Sequence, residues 1–211
     1  NYQHPYLQTM LLHDRSGAGV NEESGLIVTR SGKRFCNEYQ FHSLVGAELA
    51  RTGSAGAWYI TCGDEPFQLL NYALTLPDTP KAGSIKELAG KMGVDPEVLE
   101  NTVNRYNELC RAGFDEDFEK PASQMHELKG PDYYAVFLKP ATSITFGGLQ
   151  IDIAGRVLDQ EGRIIPGLFA SGEVANTGNF GHGVPACGYS LGHALCFGRI
   201  AARTACQREM L

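Results

Sequence analysis

The stretch from Ile164 to Ala202, IIPGLFASGEVANTGNFGHGVPACGYSLGHALCFGRIAA, decides the fold. Its apolar, β-prone run at Gly167–Ala170 predicts a buried strand that delivers the carboxylate of Glu173 to a turn. From Gly188 onward, apolar residues recur at helical spacing. Ligands of open α/β sheets bind at the carboxyl ends of strands, and a helix start presents free backbone N–H groups. The stretch therefore predicts either a ligand site or an ordinary strand–turn–helix unit.

The composition is typical of a globular protein. The chain has 211 residues, of which 43% are hydrophobic and 20% charged, which is enough for one domain or two small ones. The net charge of −6 argues against nucleic acid or an anionic membrane surface as the main partner. The sequence contains no apolar run of about 18 residues to span a membrane and no signal-peptide pattern.

The cysteines and histidines do not follow the spacing of a metal or disulfide framework. Six cysteines are scattered along the chain without a Cys-x-x-Cys pair. A chain with a core of normal size does not need disulfides, so we expect reduced thiols and a cytoplasmic protein. His182 and His193 lie near the decisive stretch, but their spacing is not that of a metal site, and no metal is expected.

The remaining sequence alternates predicted strands and helices and shows no internal repeat. We expect a hairpin at 25–38, helices at 41–51, 85–92 and 96–111, strands at 57–61, 133–138, 149–153 and 156–159, and a polar surface connection at 113–129. Asp95 is a good N-cap, and Pro96 suits the first helical position.

Three ordered motifs resemble those of one flavoprotein family. The run Pro166–Glu173, followed by Phe197–Ala202, resembles the carboxyl-terminal signature of FAD-dependent fumarate reductase, succinate dehydrogenase and 3-ketosteroid dehydrogenase flavoproteins. The run Gly32–Glu38, GKRFCNE, is similar to the family's GKRF-x-NE element. The run Phe146–Asp152, FGGLQID, is similar to its glycine pair before a flavin-domain strand.

The resemblance implies a fold and a domain organisation. It implies an α+β protein with a cap domain of the fumarate reductase flavoprotein type and the carboxyl-terminal part of an FAD-binding α/β domain. Residues 1–24 and 131–211 would belong to the FAD-binding domain, and residues 25–130 would form the substrate cap. The family's amino-terminal glycine-rich dinucleotide fingerprint is not in this sequence. We therefore expect the rest of the flavoprotein, which carries that fingerprint, as a partner.

The resemblance also implies which residues bind FAD. Glu173 would accept a hydrogen bond from a hydroxyl of the cofactor, with a solvated turn or helix cap as the alternative. Ser190 and Leu191 stand where the family lays backbone amides against the isoalloxazine. Gly147 and Gly148 would let the backbone approach the flavin closely, with a β-bulge as the competing interpretation.

On the substrate side the sequence departs from the fumarate reductases. These place a histidine and an arginine at the positions that are Ser143 and Pro185 here. Without this cationic pair a dicarboxylate loses its charge-assisted clamp, so fumarate and succinate are not the expected substrates. The Pro185–Gly188 run resembles the Pro-x-x-Gly of 3-ketosteroid dehydrogenases, although Val184 replaces the tyrosine that precedes that proline.

Catalytic candidates follow from the same resemblance. The backbone N–H of Gly188 would polarise a ketone, and Tyr189 would supply a phenol as hydrogen-bond donor or acid, unless it is a packed core tyrosine. Tyr72, in a cap segment without arginine, would transfer a proton over the flavin, with lid packing as the alternative. Arg34 and Glu38 would form either a proton relay or a structural ion pair.

The expected function is that of an FAD-dependent oxidoreductase. It would transfer a hydride between flavin N5 and a carbon of a C–C bond beside a carbonyl, in a 3-ketosteroid or another enone-like small molecule. One alternative is a reductase of an unsaturated carboxylate. Another is a non-catalytic chain that completes a flavin site with a partner chain. An electron-transfer partner is also expected.

Overall fold

The computed structural model describes residues 6–13, 25–40, 42–63, 79–146, 148–175 and 189–208. The chain divides into two compact units, one made of residues 1–8 with 142–211 and the other of residues 9–141. The strands are β1 Tyr6–His13, β2 Leu26–Thr29, β3 Ala57–Cys62, β4 Lys81–Ala82, β5 Tyr133–Phe146, β6 Arg156–Leu158 and β7 Ile164–Phe169. The α-helices are α1 His42–Thr52, α2 Ile85–Met92, α3 Pro96–Ala112 and α4 Tyr189–Arg208. Short 3-10 helices occur at Ala122–Gln124 and Gly172–Ala175.

An antiparallel sheet forms the centre of the unit of residues 9–141. The strand order is β1-β5-β3-β2, and β4 pairs with β5. In its register Leu26 lies opposite Ile60, and Ala57 lies opposite Leu138. Because side chains alternate between the faces of a sheet, this register gives two apolar layers. One layer packs with α2 and α3, and the other packs with α1.

Local capping explains why α2 and α3 begin and end where the sequence predicts. Ser84 accepts the backbone N–H of Glu87, and the Asp95 carboxylate accepts those of Glu97 and Val98. Gly93 and Gly113 follow the two helices in the left-handed conformation, which a glycine adopts without a Cβ penalty. The prediction of a hairpin after Leu26 is confirmed by the antiparallel bridge between Val28 and Arg34.

Most residues of the polar segment 113–129 are exposed, as its composition predicts, but the segment also contributes buried charged residues that the composition does not indicate. Asp115 and Lys120 are fully buried within it. Arg34 donates to both oxygens of Glu38 at 2.9 Å and to the two oxygens of Asp115 at 3.0 and 2.7 Å. The ammonium of Lys120 lies 3.4 Å from Glu38 and donates to the carbonyl of Gly25 at 2.9 Å. Two cations and two carboxylates therefore neutralise each other inside the unit.

Aromatic rings further enclose these four charged residues. The guanidinium of Arg34 lies 5.1 Å from the ring centroid of Tyr106 and 4.9 Å from that of Phe118. Burial alone would lower the pKa of Arg34, but its hydrogen bonds and charge pairing with Glu38 and Asp115 raise that pKa above its ordinary value. Burial lowers the pKa of Lys120 despite the opposing charge of Glu38. We name this set Arg34, Glu38, Asp115 and Lys120 the buried charge network.

In the other unit the strand predicted at Gly167–Ala170 is confirmed as β7, Ile164–Phe169, but its predicted burial was wrong. Strand β7 pairs antiparallel with the short β6 in a sheet of two strands. Ile164, Ile165 and Leu168 are 38%, 37% and 42% exposed. The apolar run has the composition of a core strand but lies at the surface of this unit.

Two turns, one before β6 and one between β6 and β7, share a sequence pattern and the same set of hydrogen bonds. The sequence analysis did not predict this repeat. The runs Asp152–Arg156, DIAGR, and Asp159–Arg163, DQEGR, share the pattern Asp-x-x-Gly-Arg. In both, the aspartate accepts the backbone N–H of the residues two and four positions later, and its second oxygen accepts the arginine Nε. Gly155 and Gly162 occupy equivalent left-handed positions with φ of 76° and 78°.

Helix α4 contacts the hairpin through small residues at helical spacing. A Cβ added to Gly155 would lie 2.9 Å from the Cβ of Ala201, and one added to Gly172 would lie 3.5 Å from that of Ala194. One added to Gly198 would lie 3.5 Å from the hydroxyl of Ser171. We name these contacts of Ala194, Gly198 and Ala201 the small-residue seam, because small side chains here let backbones approach closely.

Replacing Asp115 with asparagine should destabilise the unit of residues 9–141. Asp115→Asn leaves the guanidinium of Arg34 buried with one carboxylate, and breaking a buried pair costs on the order of 2–4 kcal/mol. We expect the free energy of unfolding to fall by about this amount, measured by urea denaturation and the fluorescence of Trp58, the single tryptophan. The control Asp117→Asn removes a partner from the exposed Arg105 and should have a much smaller effect. Equal losses of unfolding free energy in the two variants would show that the buried charge network stabilises the unit no more than an exposed ion pair does.

The two equivalent glycines of the repeated turns give a second, matched prediction. Gly155→Ala and Gly162→Ala each force a Cβ into the left-handed region, which costs about 1–2 kcal/mol. Gly155→Ala also places a methyl group against α4, whereas no atom of the described residues lies within 4 Å of a Cβ at Gly162. We expect Gly155→Ala to lower stability by a further 1–3 kcal/mol or so, as overpacking does. Thermal unfolding followed by far-UV circular dichroism measures the difference, and identical melting curves would exclude the seam as a tight contact.

Candidate functional site

Glu173 lies on the 3-10 helix Gly172–Ala175 that directly follows β7. Its side chain is exposed, while Gly172 before it is buried in a left-handed turn with φ of 74°. The Cβ position of Gly172 faces Ala194 of α4 at 3.5 Å. The turn that carries the carboxylate is therefore held against the second turn of α4.

Helix α4 begins at Tyr189, so Ser190 and Leu191 belong to its first turn. The backbone N–H groups of a first turn have no acceptor within the helix, and they carry the positive end of the helix dipole. Ser190 precedes Ala194 by four residues, which is about 6 Å along the helix axis. Leu191 is 65% exposed at this end of the helix. Amide donors and the Glu173 turn thus lie on the same end of one packed assembly.

The backbone after the glycine pair is joined to the same turn. The N–H of Leu149 donates to the carbonyl of Val174 at 2.7 Å. Gly148 has φ of 152°, and a Cβ there would lie 2.2 Å from that carbonyl oxygen. The structure therefore gives Gly148 a packing reason of its own, namely the close approach of its backbone to the turn of Glu173. Its contact with a flavin stays a prediction.

Several predicted site residues lie outside the described residues. These are Tyr72, Gly147 and Gly188, together with the loop residue His182. For Tyr189 and Ser190 the structure describes the helical backbone, and their side-chain roles stay predictions. The structure therefore brings together Glu173, Gly148 and the start of α4.

His193 packs on the aromatic ring of Phe197 one turn further along α4. The two rings stack with centroids 4.5 Å apart and planes 21° apart. Burial lowers the pKa of the His193 imidazole, so this histidine is largely neutral near pH 7. Packing is thus an observed role of His193. Among the described residues no group of three potential ligands is placed to hold a metal ion.

The pair of Arg34 and Glu38 takes part in the buried charge network. Both oxygens of Glu38 accept from Arg34, and Oε1 also accepts the backbone N–H of Ile27 at 3.3 Å. This geometry is that of a structural ion pair in the unit of residues 9–141. A role of the pair in proton transfer stays a prediction.

Sequence reasoning missed the small-residue seam, although a signal for it is present. Ala194, Gly198 and Ala201 stand at i, i+4 and i+7, the spacing of one helix face. Glycine and alanine on such a face indicate a close approach to another backbone. The larger apolar residues Leu191 and Leu195, which also stand at helical spacing, are 65% and 66% exposed.

The arrangement has a definite chemical character. Amide donors at the start of α4 suit an acceptor edge with developing negative charge, and the carboxylate of Glu173 suits a hydroxyl donor. A ligand that offers an acceptor edge and a hydroxyl to one end of this unit would meet both.

In the described part of the chain, no helix is both long and apolar enough to cross a membrane.

Comparisons with known proteins agree with this character. The model of the family described as FAD binding domain matches residues 3–191. The chain is 33% identical to a 3-oxosteroid 1-dehydrogenase of Mycobacterium tuberculosis, over 86% of this chain and 38% of that protein. It is 34% identical to a fumarate reductase (cytochrome) of Shewanella frigidimarina, over 88% of this chain and 32% of that protein. The chain thus spans about a third of the length of these curated relatives.

A solved structure shows the same fold at similar identity. The 3-ketosteroid delta1-dehydrogenase from Sterolibacterium denitrificans, in complex with 1,4-androstadiene-3,17-dione, matches with a TM-score of 0.78 and 27% identity. The match covers 94% of this chain and 43% of that one. The mixed helix and sheet architecture is therefore that of the ketosteroid dehydrogenases and fumarate reductases. The chain belongs to the FAD binding domain family of flavoproteins, and FAD is its cofactor.

Proposed function

We propose that this chain is part of an FAD-dependent oxidoreductase that acts on a C–C bond next to a carbonyl, with a 3-ketosteroid or another apolar enone as substrate. Residues 25–130 are its substrate cap, and residues 1–24 with 131–211 belong to its FAD-binding domain. The single observation that carries the proposal is the small-residue seam, which holds the turn of Glu173 beside the start of α4.

The residues present fit the cofactor. The isoalloxazine of FAD has an edge of ring nitrogens and carbonyl oxygens that accept hydrogen bonds, and the cofactor carries ribityl and ribose hydroxyls that donate them. The N–H groups of Ser190 and Leu191 are donors at a helix start, and Glu173 is an exposed carboxylate acceptor on the adjoining turn. The positive end of the α4 dipole stabilises negative charge placed there.

The chain's own residues then handle binding and the proton. When bound, FAD supplies the acceptance or donation of a hydride. The backbone N–H of Gly188 polarises the substrate carbonyl, and the phenol of Tyr189 donates a hydrogen bond to it. Tyr72 of the cap exchanges the partner proton. The ordinary pKa of a phenol is near 10, so proton transfer at neutral pH requires that pKa to be lowered.

Two positions in the sequence, 143 and 185, favour the proposed substrate class. Fumarate reductases hold a dicarboxylate with a histidine and an arginine, and Ser143 and Pro185 stand at the corresponding places. A carboxylate placed there would lose its charged hydrogen bonds, each of which contributes about 1.5–3 kcal/mol. An apolar ketone has no such requirement. The 33% identical relative is a 3-oxosteroid 1-dehydrogenase, which supports this choice.

A second candidate is the reduction of an unsaturated carboxylate. The observation in its favour is the equal likeness to a fumarate reductase, at 34% identity. This function requires an arginine from another position to replace the missing pair. A third possibility is a chain that completes a flavin site without catalysis of its own. A measurement of substrate turnover distinguishes this chain from both enzymes.

The exposed apolar side chains support a partner that covers them. Leu168, Val174, Leu191 and Leu195 are between 42% and 66% exposed on β7, on the Glu173 turn and on α4. Large apolar side chains exposed on neighbouring elements favour an interaction site when they form a patch. We assign it to the rest of the flavoprotein, the part that carries the dinucleotide fingerprint. The relatives are about three times as long as the match to this chain, which leaves room for such a part.

The role of Glu173 gives a prediction for cofactor affinity. Glu173→Gln keeps the shape of the side chain but removes its charge, so a hydroxyl donor loses a charge-assisted acceptor. We expect the dissociation constant for FAD to rise about tenfold or more, as the loss of 1.5–3 kcal/mol implies. Titration of the apoprotein of the full flavoprotein, followed by flavin fluorescence, measures this. Glu161→Gln, on the exposed second turn of the hairpin, is the matched control. An unchanged affinity in Glu173→Gln would remove this residue from the site.

The substrate proposal is tested by anaerobic mixing of the flavin-loaded protein with one compound at a time. A saturated 3-ketosteroid should bleach the oxidised flavin, and the reduced protein should keep its reduced spectrum when mixed with fumarate. Reoxidation by fumarate but not by a steroid enone would establish the second candidate. A flavin-loaded protein that responds to neither class would leave the non-catalytic alternative. A preparation that takes up no FAD would overturn the proposal as a whole.

A further inference from the structure

A second concave site lies in the unit of residues 9–141, apart from the residues assigned to FAD. It is an open groove of about 680 Å³ between the turn that follows β2 and the loop that follows α1. Small-molecule sites typically have volumes of about 300–1,000 Å³. Its walls consist of Thr29, Arg30, Ser31, Lys33, Arg34, Phe35, Thr52, Gly53, Ser54 and Ala55.

The charge of the groove is opposite to that of the chain. The chain carries 24 acidic and 18 basic residues, yet the ten lining residues include three cations and no carboxylate. Arg34 is neutralised by Glu38 and Asp115. Arg30 and Lys33 are exposed, and neither forms an ion pair with a carboxylate of the described residues. Two cations without a carboxylate partner in the described part of the chain therefore line the same concavity.

The walls of the groove are ordered by their own hydrogen bonds. The hydroxyl of Ser54 accepts the backbone N–H of Arg30 and donates to the carbonyl of Gly56 at 2.6 Å. Thr29 Oγ1 accepts the backbone N–H of Lys33 and lies 2.8 Å from Ser31 Oγ. When Thr29 donates to Ser31 in this pair, the proton of the Ser31 hydroxyl remains available to a ligand.

Arg30 is also oriented by an aromatic ring. Its guanidinium carbon lies 5.9 Å from the ring centroid of Phe137 on β5. Phe137 in turn packs against Trp58 at 4.8 Å between ring centroids. A guanidinium held over a packed ring loses less conformational freedom when it binds a ligand than a freely moving one does.

We infer that this groove binds a small multivalent anion, of the class of phosphate and pyrophosphate groups, through Arg30, Lys33 and the hydroxyl of Ser31. A planar guanidinium, an ammonium and a hydroxyl donor are the groups that recognise phosphate oxygens in proteins. A groove of about 680 Å³, lined by two cations that have no carboxylate partner among the described residues, favours a small anion over an acidic protein, because a specific protein interface buries about 800 Å² on each partner.

The inference is independent of the FAD site and of the proposed reaction. None of its residues belongs to the Glu173 turn or to α4. The probe is inorganic pyrophosphate, added to the full 211-residue chain at low ionic strength. Binding is read from amide chemical shifts in two-dimensional NMR spectra and from isothermal titration calorimetry.

Saturable shifts should be confined to residues 29–35 and 52–55, and they should weaken as salt is added. The double variant Arg30→Gln/Lys33→Gln should weaken binding at least about tenfold, since each charged hydrogen bond contributes about 1.5–3 kcal/mol. The control Arg199→Gln/Arg203→Gln removes two exposed cations of α4 and should bind like the unchanged chain. Shift mapping on the unchanged chain tests the site even if a variant folds poorly.

Three results would overturn the inference. The first is the absence of saturable binding of pyrophosphate. The second is a set of shifts that map away from the groove, or an equal loss in the groove variant and the α4 variant, which indicates nonspecific charge screening. The third is binding of an acidic protein at the groove with none of pyrophosphate. None of these results bears on FAD binding, so the proposed function would stand or fall separately.

Discussion

The fold of the unit of residues 9–141 depends on one guanidinium group. Arg34 joins a carboxylate four residues away, Glu38, to one that is 81 residues away, Asp115. The two side chains it binds are fully buried, and water does not compensate their charge. Removing these charges from water opposes folding, and only complete pairing offsets that cost. The loop that carries Asp115 and Lys120 is therefore fixed to the turn after β2, and this turn forms one wall of the groove.

The unit that contains α4 uses a different physical solution. Charge pairs there stay at the surface, in the repeated turns of the hairpin, where each contributes little. Close packing comes instead from Ala194, Gly198 and Ala201, which let the helix approach Gly155 and the Glu173 turn. A seam of small side chains leaves the large apolar residues of α4 directed elsewhere. This explains how α4 can pack closely within its own unit while Leu191 and Leu195 stay exposed.

Local signals predicted much of the fold, because local interactions determine it. Helices α2 and α3 begin at Ser84 and Asp95 through side-chain caps that are visible in the sequence. The buried positions of Asp115 and Lys120 were not predictable in this way, since their partners are about 80 to 95 residues distant and polar composition indicates a surface loop. The prediction that strand β7 is buried was wrong for the opposite reason. Its apolar composition indicates burial, and the surface that would bury it is not supplied by the described hairpin.

The candidate site could be located from the sequence more readily than its substrate. A 3-oxosteroid 1-dehydrogenase and a fumarate reductase are similar to this chain to almost the same degree. One scaffold therefore serves an apolar ketone and a dicarboxylate, and the difference has to reside in a few side chains. Cations at two positions suffice, because a charged clamp contributes several kcal/mol to a carboxylate and nothing to an apolar ring. Ser143 and Pro185 carry no charge in this chain, and this difference underlies the proposed preference for an apolar ketone.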